Sequence, residues 1–224
     1  MKYNVCIGGS VKLVATHQIG VSLQAQMRII TSCTLCLFFL AARSQELKSG
    51  RDYQLLCIGF YNLENLFDTI VDNDTSKILR DDFTPMGDKK FTSQRYSTKL
   101  ENMARVIAAM GTESQPDGPA VLGVCEIENR RVLEDLVKMP SIAKRNYQIV
   151  HYDSPDERGV DVGLIYQPKY FTLTSSSTHT LTDPADRNFH TRDQLIASGI
   201  IGGEKFHFLV AHWPSRRGGE MRSR

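Results

Sequence analysis

The chain has 224 residues, of which 41% are hydrophobic and 23% charged, the balance of an ordinary globular protein with one sizeable core. A formal net charge of +2 excludes a partner recognised by bulk electrostatics alone, because binders of polyanions gather a basic face. The class of partner has to be read from a site.

Met27-Arg28, the apolar run from Ile29 to Ala42 and the small-residue stretch Ala42-Arg43-Ser44 form the charged, apolar and cleavage parts of a secretory signal. Cleavage is expected after Ser44, which makes the protein secreted or periplasmic. The run falls short of the roughly 18 apolar residues of a spanning helix, so no stable membrane anchor is expected. Ile30-Thr31-Ser32-Cys33 imitates a lipid-attachment box but precedes most of the apolar run, which argues against lipidation. Since a good signal with its own methionine begins at Met27, the expected organisation is a misassigned start plus signal over residues 1–44 (signal 27–44). One domain over 45–224 follows.

Tyr53 to Tyr61 (YQLLCIGFY) is an apolar run of strand length with Asn62 at its carboxyl end. Asp68 to Phe91 is rich in Asp, Thr, Pro and Gly and has no period, the mark of a long surface excursion. Within it Asp72-Asn73-Asp74 hints at calcium, but the glycine and terminal glutamate of an EF-hand loop are missing. Thr98 and Glu101 form a capping-box pattern, and Leu100, Met103, Ala104, Ile107 and Met110 recur at helical spacing before Gly111. A helix capped at Thr98 is predicted there.

Ala120 to Cys125 is a second buried strand delivering Glu126, and Val132, Leu133, Leu136 and Val137 mark a short helix beyond it. Tyr147 to Tyr152, Val160 to Tyr166, Leu195 to Ile201 and Phe206 to Trp213 are further strands, the last two joined through Gly202-Gly203-Glu204 as a hairpin. Helices among the early strands followed by a β-rich half predict an α/β fold of the α+β type, a mixed sheet with helices packed outside. Of five cysteines, Cys6, Cys33 and Cys36 fall in the segment expected to be lost. With Asn62 and Glu126 level on neighbouring strands, Cys57 and Cys125 are offset by about 13 Å, too far for a disulfide.

A carboxylate at the end of a buried strand is costly unless a cation meets it. Glu126 fits that description, as a metal ligand or as half of a salt bridge. Asn62 is a second ligand or a turn residue. Glu64 points to the same side in an extended backbone, or is a surface acid. These residues supply oxygen donors only, with no Cys/His cluster of zinc spacing, which points to Mg2+, with Mn2+ or Ca2+ able to substitute. His212 is a turn histidine, or a proton donor or phosphate contact beside the metal. Arg192 and Arg216 offer guanidinium forks for phosphate oxygens. Asp161 orients His212 or is a polar strand residue.

Taken jointly, FYNLENLFD, VLGVCEIEN, DERGVDVGLIYQP and FLVAHWPSRRGG resemble the deoxyribonuclease-like endonuclease/exonuclease/phosphatase superfamily, in its secreted bacterial branch. The similarity spans about Tyr53 to Arg222. It implies a four-layer α/β/β/α sandwich with an incomplete second half, Asn62 and Glu126 at the metal, His212 at the scissile phosphate and Arg192 on a phosphate oxygen. Glu64 and Asp161 carry over with them. The implied reaction is in-line attack of water on a phosphate ester, with metal stabilising the developing charge. The substrate is nucleic acid or another phosphate ester, such as a phospholipid head group or a phosphomonoester, and the protein acts as a monomer. A non-catalytic binding module on the same scaffold is the alternative from another class.

The family's later Gly-Asp-x-Asn motif and near-terminal Asp-His pair, whose histidine is the base, do not occur in this sequence. Loss of a general base removes a contribution of about 100- to 10,000-fold. Missing strands would leave an apolar sheet face uncovered. The polypeptide as written is therefore expected to be poorly soluble and essentially inactive.

Overall fold

A computed structural model of the protein describes residues 54–184, 186, 187 and 189–213. The signal segment, Cys6, Cys33, Cys36 and Arg216 lie outside the described residues.

The first apolar run becomes β1 (Cys57–Leu66), which continues past Asn62. A long irregular stretch follows, as its Asp, Pro and Gly content predicts. There Asp72 Oδ1 accepts from Asp74 N (2.9 Å) and Asp74 Oδ1 from Ser76 N (3.0 Å), so the acidic run is spent on successive side-chain-to-backbone turns.

The first helix, α1, spans Ser93–Ala109 and begins earlier than the capping-box pattern implies. Its cap is Thr92, whose hydroxyl accepts from Arg95 N at 3.3 Å, and Thr98 lies inside it. The first turns (SQRYSTK) are polar, so the apolar period becomes visible only at Leu100. Leu100, Met103, Ala104 and Ile107 form its buried face. At its far end Arg145 donates to Ile107 O (2.9 Å) and Ala108 O (2.7 Å), satisfying carbonyls that a helix terminus leaves orphaned.

The helix returns the chain to β2 (Pro119–Ile127), parallel to β1. A short helix, α2 (Arg130–Val137), is capped by Asn129, whose side chain accepts from Val132 N at 3.2 Å. β3 (Gln148–His151) and β4 (Asp161–Tyr166) complete a mixed sheet in the order β1-β2-β4-β3. A second, antiparallel sheet contains β5 (Thr172–His179), β6 (Gln194–Ile201) and β7 (Glu204–Val210) in chain order. Gly202 and Gly203, at φ +54° and +89°, make the two-residue turn between β6 and β7. Positive φ at both central positions matches the twist of the paired strands. The expected strands thus form with shifted ends, β1 running five residues past Tyr61 and β7 stopping three residues short of Trp213, and β5 joins them unannounced.

The mixed sheet separates two cores. Leu122, Val124 and Ile127 of β2 pack with Leu100, Met103, Ile107, Leu133 and Leu136 of the helices. Val121 and Cys125 pack instead with Leu195, Ala197, Phe171 and Val210 of the second-sheet side. The described residues therefore build three layers, helices, mixed sheet and antiparallel sheet, of the expected α/β sandwich. On the outer face of the second sheet Leu209, 62% exposed, stands opposite Ile196. No disulfide joins Cys57 and Cys125.

Candidate active site

β1 and β2 pair in regular parallel register from Ile58↔Val121 to Asn62↔Cys125, then slip, so that the next pair is Leu66↔Ile127. β2 and β4 slip at the same level, between Cys125 and Ile127. Around this slip Glu64, Asn65 and Glu126 adopt left-handed backbone, at φ +50°, +58° and +59°. Such conformations cost non-glycine residues about 1–3 kcal/mol each and gather where surroundings hold them for a purpose. The bulge also breaks the alternation of β2. Cys125 faces the second sheet and Ile127 faces the helices, which leaves the intervening Glu126 re-aimed toward the second sheet.

His212, two residues beyond β7, meets it there. His212 Nε2 lies 3.4 Å from Glu126 Oε1, and both side chains are mostly buried. Burial, then the nearby Arg192 charge, lower the His212 pKa below that of an ordinary histidine, against the pull of Glu126. The imidazole is accordingly neutral near pH 7.

Arg192 holds the chain that carries this histidine. Its Nε donates to His212 O (3.2 Å), Nη2 to Trp213 O (3.0 Å) and Nη1 to Asp156 Oδ2 (2.7 Å). All three nitrogens expected to reach phosphate already have protein acceptors, and the group is buried.

Asp161, expected to orient His212, is engaged elsewhere. Its Oδ2 lies 3.0 Å from His151 Nε2, and its Oδ1 accepts from Ser154 N (2.9 Å) and Ser154 Oγ (2.6 Å). The β3–β4 register, with His151 opposite Gly163, sets His151 diagonal to Asp161. His151, Asp153 and Asp161 bring ligand-type atoms within 4.8 Å of one another, a grouping that no sequence spacing announces because it joins the end of β3 to the start of β4.

Asn62 Oδ1 accepts from Glu64 N at 2.7 Å, and Glu64 is exposed. Lys99, not foreseen, reaches back from α1 to the bulge, donating from Nζ to Glu64 O (2.5 Å) and Asn65 O (3.2 Å). Burial lowers its pKa although Glu64 and Glu126 act to raise it. Glu128 is a second unforeseen acid. Its Oε2 accepts from Asp68 N at 2.8 Å, and burial, reinforced by the charges of Asp68 and Asp72, pushes its pKa up to about 8. The EIEN motif contains both acids at alternate positions, and only the backbone slip tells which one meets His212.

A two-sheet α/β sandwich with oxygen donors at the end of one sheet and a histidine brought from the other is a phosphoesterase scaffold. The chain belongs to the Endonuclease/Exonuclease/phosphatase family, whose model matches residues 57–224. Solved structures similar to it include humanized D. rerio TDP2, at 16% identity and TM-score 0.39, covering 70% of this chain and 47% of that one. The human Nocturnin catalytic domain with bound sulfate is similar at 18% identity and TM-score 0.35, covering 45% and 39%. ANGEL2, a 2',3'-cyclic phosphatase, is similar at 16% identity and TM-score 0.38, covering 53% and 32%. The chain spans less than half the length of each. No match was found among curated proteins.

Proposed function

We propose that the protein is a divalent-metal-dependent hydrolase of phosphodiesters, with nucleic acid as its substrate class, Asn62 and Glu126 as ligands of Mg2+ and Glu64 beside them. The left-handed turn that aims Glu126 at His212 carries this reading. The residues fit a hard cation, because the donors are carboxylate and amide oxygens. In the same bulge Asn65 Oδ1 is buried without a hydrogen-bond partner, and Mn2+ or Ca2+ suits the same set. A bound ion would stabilise charge on the phosphoryl oxygens.

The chain's own residues do the orienting. Glu126 fixes the ring of His212 through Nε2, and His212 stands at the scissile phosphate as a proton donor or phosphate contact. Arg192 keeps His212 in place through its carbonyl, with Arg216 as the phosphate contact. Asp161 acts through His151 and Ser154. The pattern from Met27 to Ser44 supports export, and no helix among the described residues is long and apolar enough to cross a membrane. We take the exported form to be a monomer.

The test is hydrolysis of single-stranded and duplex DNA, RNA, sphingomyelin and sugar phosphates with Mg2+, Mn2+ or Ca2+. Metal-dependent diester cleavage lost in Glu126→Ala is expected. Metal-independent cleavage would overturn the role of the ion, and no cleavage with any ion while ligands still bind would replace the hydrolase with a binding module.

A further inference from the structure

We propose that the groove between the Phe83–Phe91 loop and the exposed face of α1 is a track for single-stranded nucleic acid leading to the Glu126–His212 site, a role that rests on the function proposed above. The groove encloses about 570 Å³, the size of an ordinary ligand cleft, and Tyr61, Glu64, Phe83, Lys89, Arg95 and Lys99 are among its lining.

Its position joins it to the site. Tyr61 immediately precedes Asn62, Glu64 belongs to the strained bulge, and Lys99 is bonded to the backbone of that bulge within electrostatic reach of Glu126. A strand lying in the groove would therefore run toward the bulge that Lys99 holds.

The chemistry of the walls selects the occupant. Three cations, Lys89, Arg95 and Lys99, face one acid, Glu64, so the lining complements a polyanion. Aromatic rings alternate with these cations along the chain. Phe83 lies flat on Phe67, with centroids 4.4 Å apart and planes 10° apart, and Phe91 abuts it edge-on at 5.7 Å. The Arg95 guanidinium stands 5.7 Å from the Phe91 centroid. Phe83 is thus locked by its neighbours yet only partly buried, which makes a rigid ledge for a π-face. Interleaved cations and rings suit a polymer that alternates phosphate and base. Duplex bases are stacked on one another and cannot use such a ledge. A lipid acyl chain would meet three charges along the same path.

Binding of a fluorescein-labelled single-stranded oligonucleotide by the full chain in EDTA, where hydrolysis is held off, tests the track. Single strands should bind more tightly than duplex of equal length. The double variant Lys89→Gln/Arg95→Gln should flatten the slope of log affinity against log salt by about 1.4, at about 0.7 for each phosphate contact. Phe83→Leu, which keeps apolar volume but removes the ring, should weaken single-strand binding about five- to hundredfold. For the unaltered chain, photo-crosslinking with an iododeoxyuridine oligonucleotide should label residues 83–95, a readout that needs no variant to fold. Crosslinks only elsewhere, binding indifferent to the three substitutions, or groove-dependent binding of anionic phosphatidylglycerol vesicles without oligonucleotide binding would each overturn the track. Turnover of bis(4-nitrophenyl) phosphate by the unaltered chain separates the two readings. If it persists while oligonucleotide binding ignores the substitutions, the track fails and the hydrolase stands; if it is absent while binding responds, the hydrolase fails and the groove remains a nucleic-acid surface.

Discussion

Glu126 Oε1 and His212 Nε2, 3.4 Å apart, join the end of β2 to the chain beyond β7, so one carboxylate serves the proposed ion site and the histidine together. A cation that binds only the folded chain stabilises it by about 2.7 kcal/mol at a hundredfold excess over Kd. For a protein of this size that is a rise in Tm of roughly 5–11 °C. Titration with Mg2+ or Mn2+ in differential scanning fluorimetry should show this rise, and Glu126→Gln should abolish it. An equal rise in Glu126→Gln would remove this carboxylate from the ion site.

Asp156 and Arg192 form the buried ion pair behind the site, 2.7 Å apart with side chains 4% and 7% exposed. Removing one partner of such a pair leaves an uncompensated buried charge, at about 3–5 kcal/mol. Asp156→Ala should therefore lower stability by that amount in urea denaturation. Asp156→Leu combined with Arg192→Met should recover much of it while still releasing the His212 and Trp213 carbonyls. A loss below about 1 kcal/mol for Asp156→Ala would mean that water reaches the pair.

The strands that carry Asn62 and Glu126, and the one that precedes His212, are legible in the sequence because each is an apolar run broken by a polar residue. β2 is buried on nearly every position, so its run is unmistakable. β5 is hidden for the opposite reason: TLTSSSTH lies at a sheet edge, mostly exposed, and bears no apolar period. Alternation places Asp161 on a strand face but cannot choose between two histidines, a choice made by the β3–β4 register. Nor does any period encode the left-handed bulge at Glu64, Asn65 and Glu126. That bulge is where the local rule for a strand gives way, as expected at a functional site.

The start of α1 shows how a correct local motif can be misplaced, and it can be measured. Thr92 caps the helix through Arg95 N, so Thr92→Ala should cost about 1 kcal/mol. Thr98 lies within the helix and is exposed, where alanine is the better helix former, so Thr98→Ala should be neutral or stabilising by a few tenths of a kcal/mol. Equilibrium denaturation of the two variants decides it; the reverse order would return the cap to Thr98.

Cys125 is fully buried next to Glu126, and burial, then the Glu126 charge, push its thiol up to about 12. At pH 8 roughly one molecule in 10,000 then carries the thiolate that reacts with iodoacetamide. Peptide mass spectrometry should find Cys57, which is half-buried, alkylated well before Cys125 in the folded protein. In guanidinium chloride the two should react alike. Rapid native labelling of Cys125 would show that the sandwich opens between its sheets.

Gly199 tests how closely those sheets are packed. A Cβ at this position would run into the ring of Phe171 and the carbonyl of Thr172. Phe171 has no room to withdraw, since it is fully buried and meets Tyr166 and Phe208 edge-on, each at 5.3 Å between centroids. Overpacking of a core in this way costs about 1–3 kcal/mol, and backbone on one side of the clash cannot rotate away. Gly199→Ala should therefore lower stability by at least the upper part of that range, whereas Gly203→Ala, with open space around its Cβ but φ at +89°, should lose only about 1 kcal/mol through backbone strain. Comparable urea midpoints for the two variants would show that Phe171 has another rotamer available and that the second core is looser than its ring contacts imply.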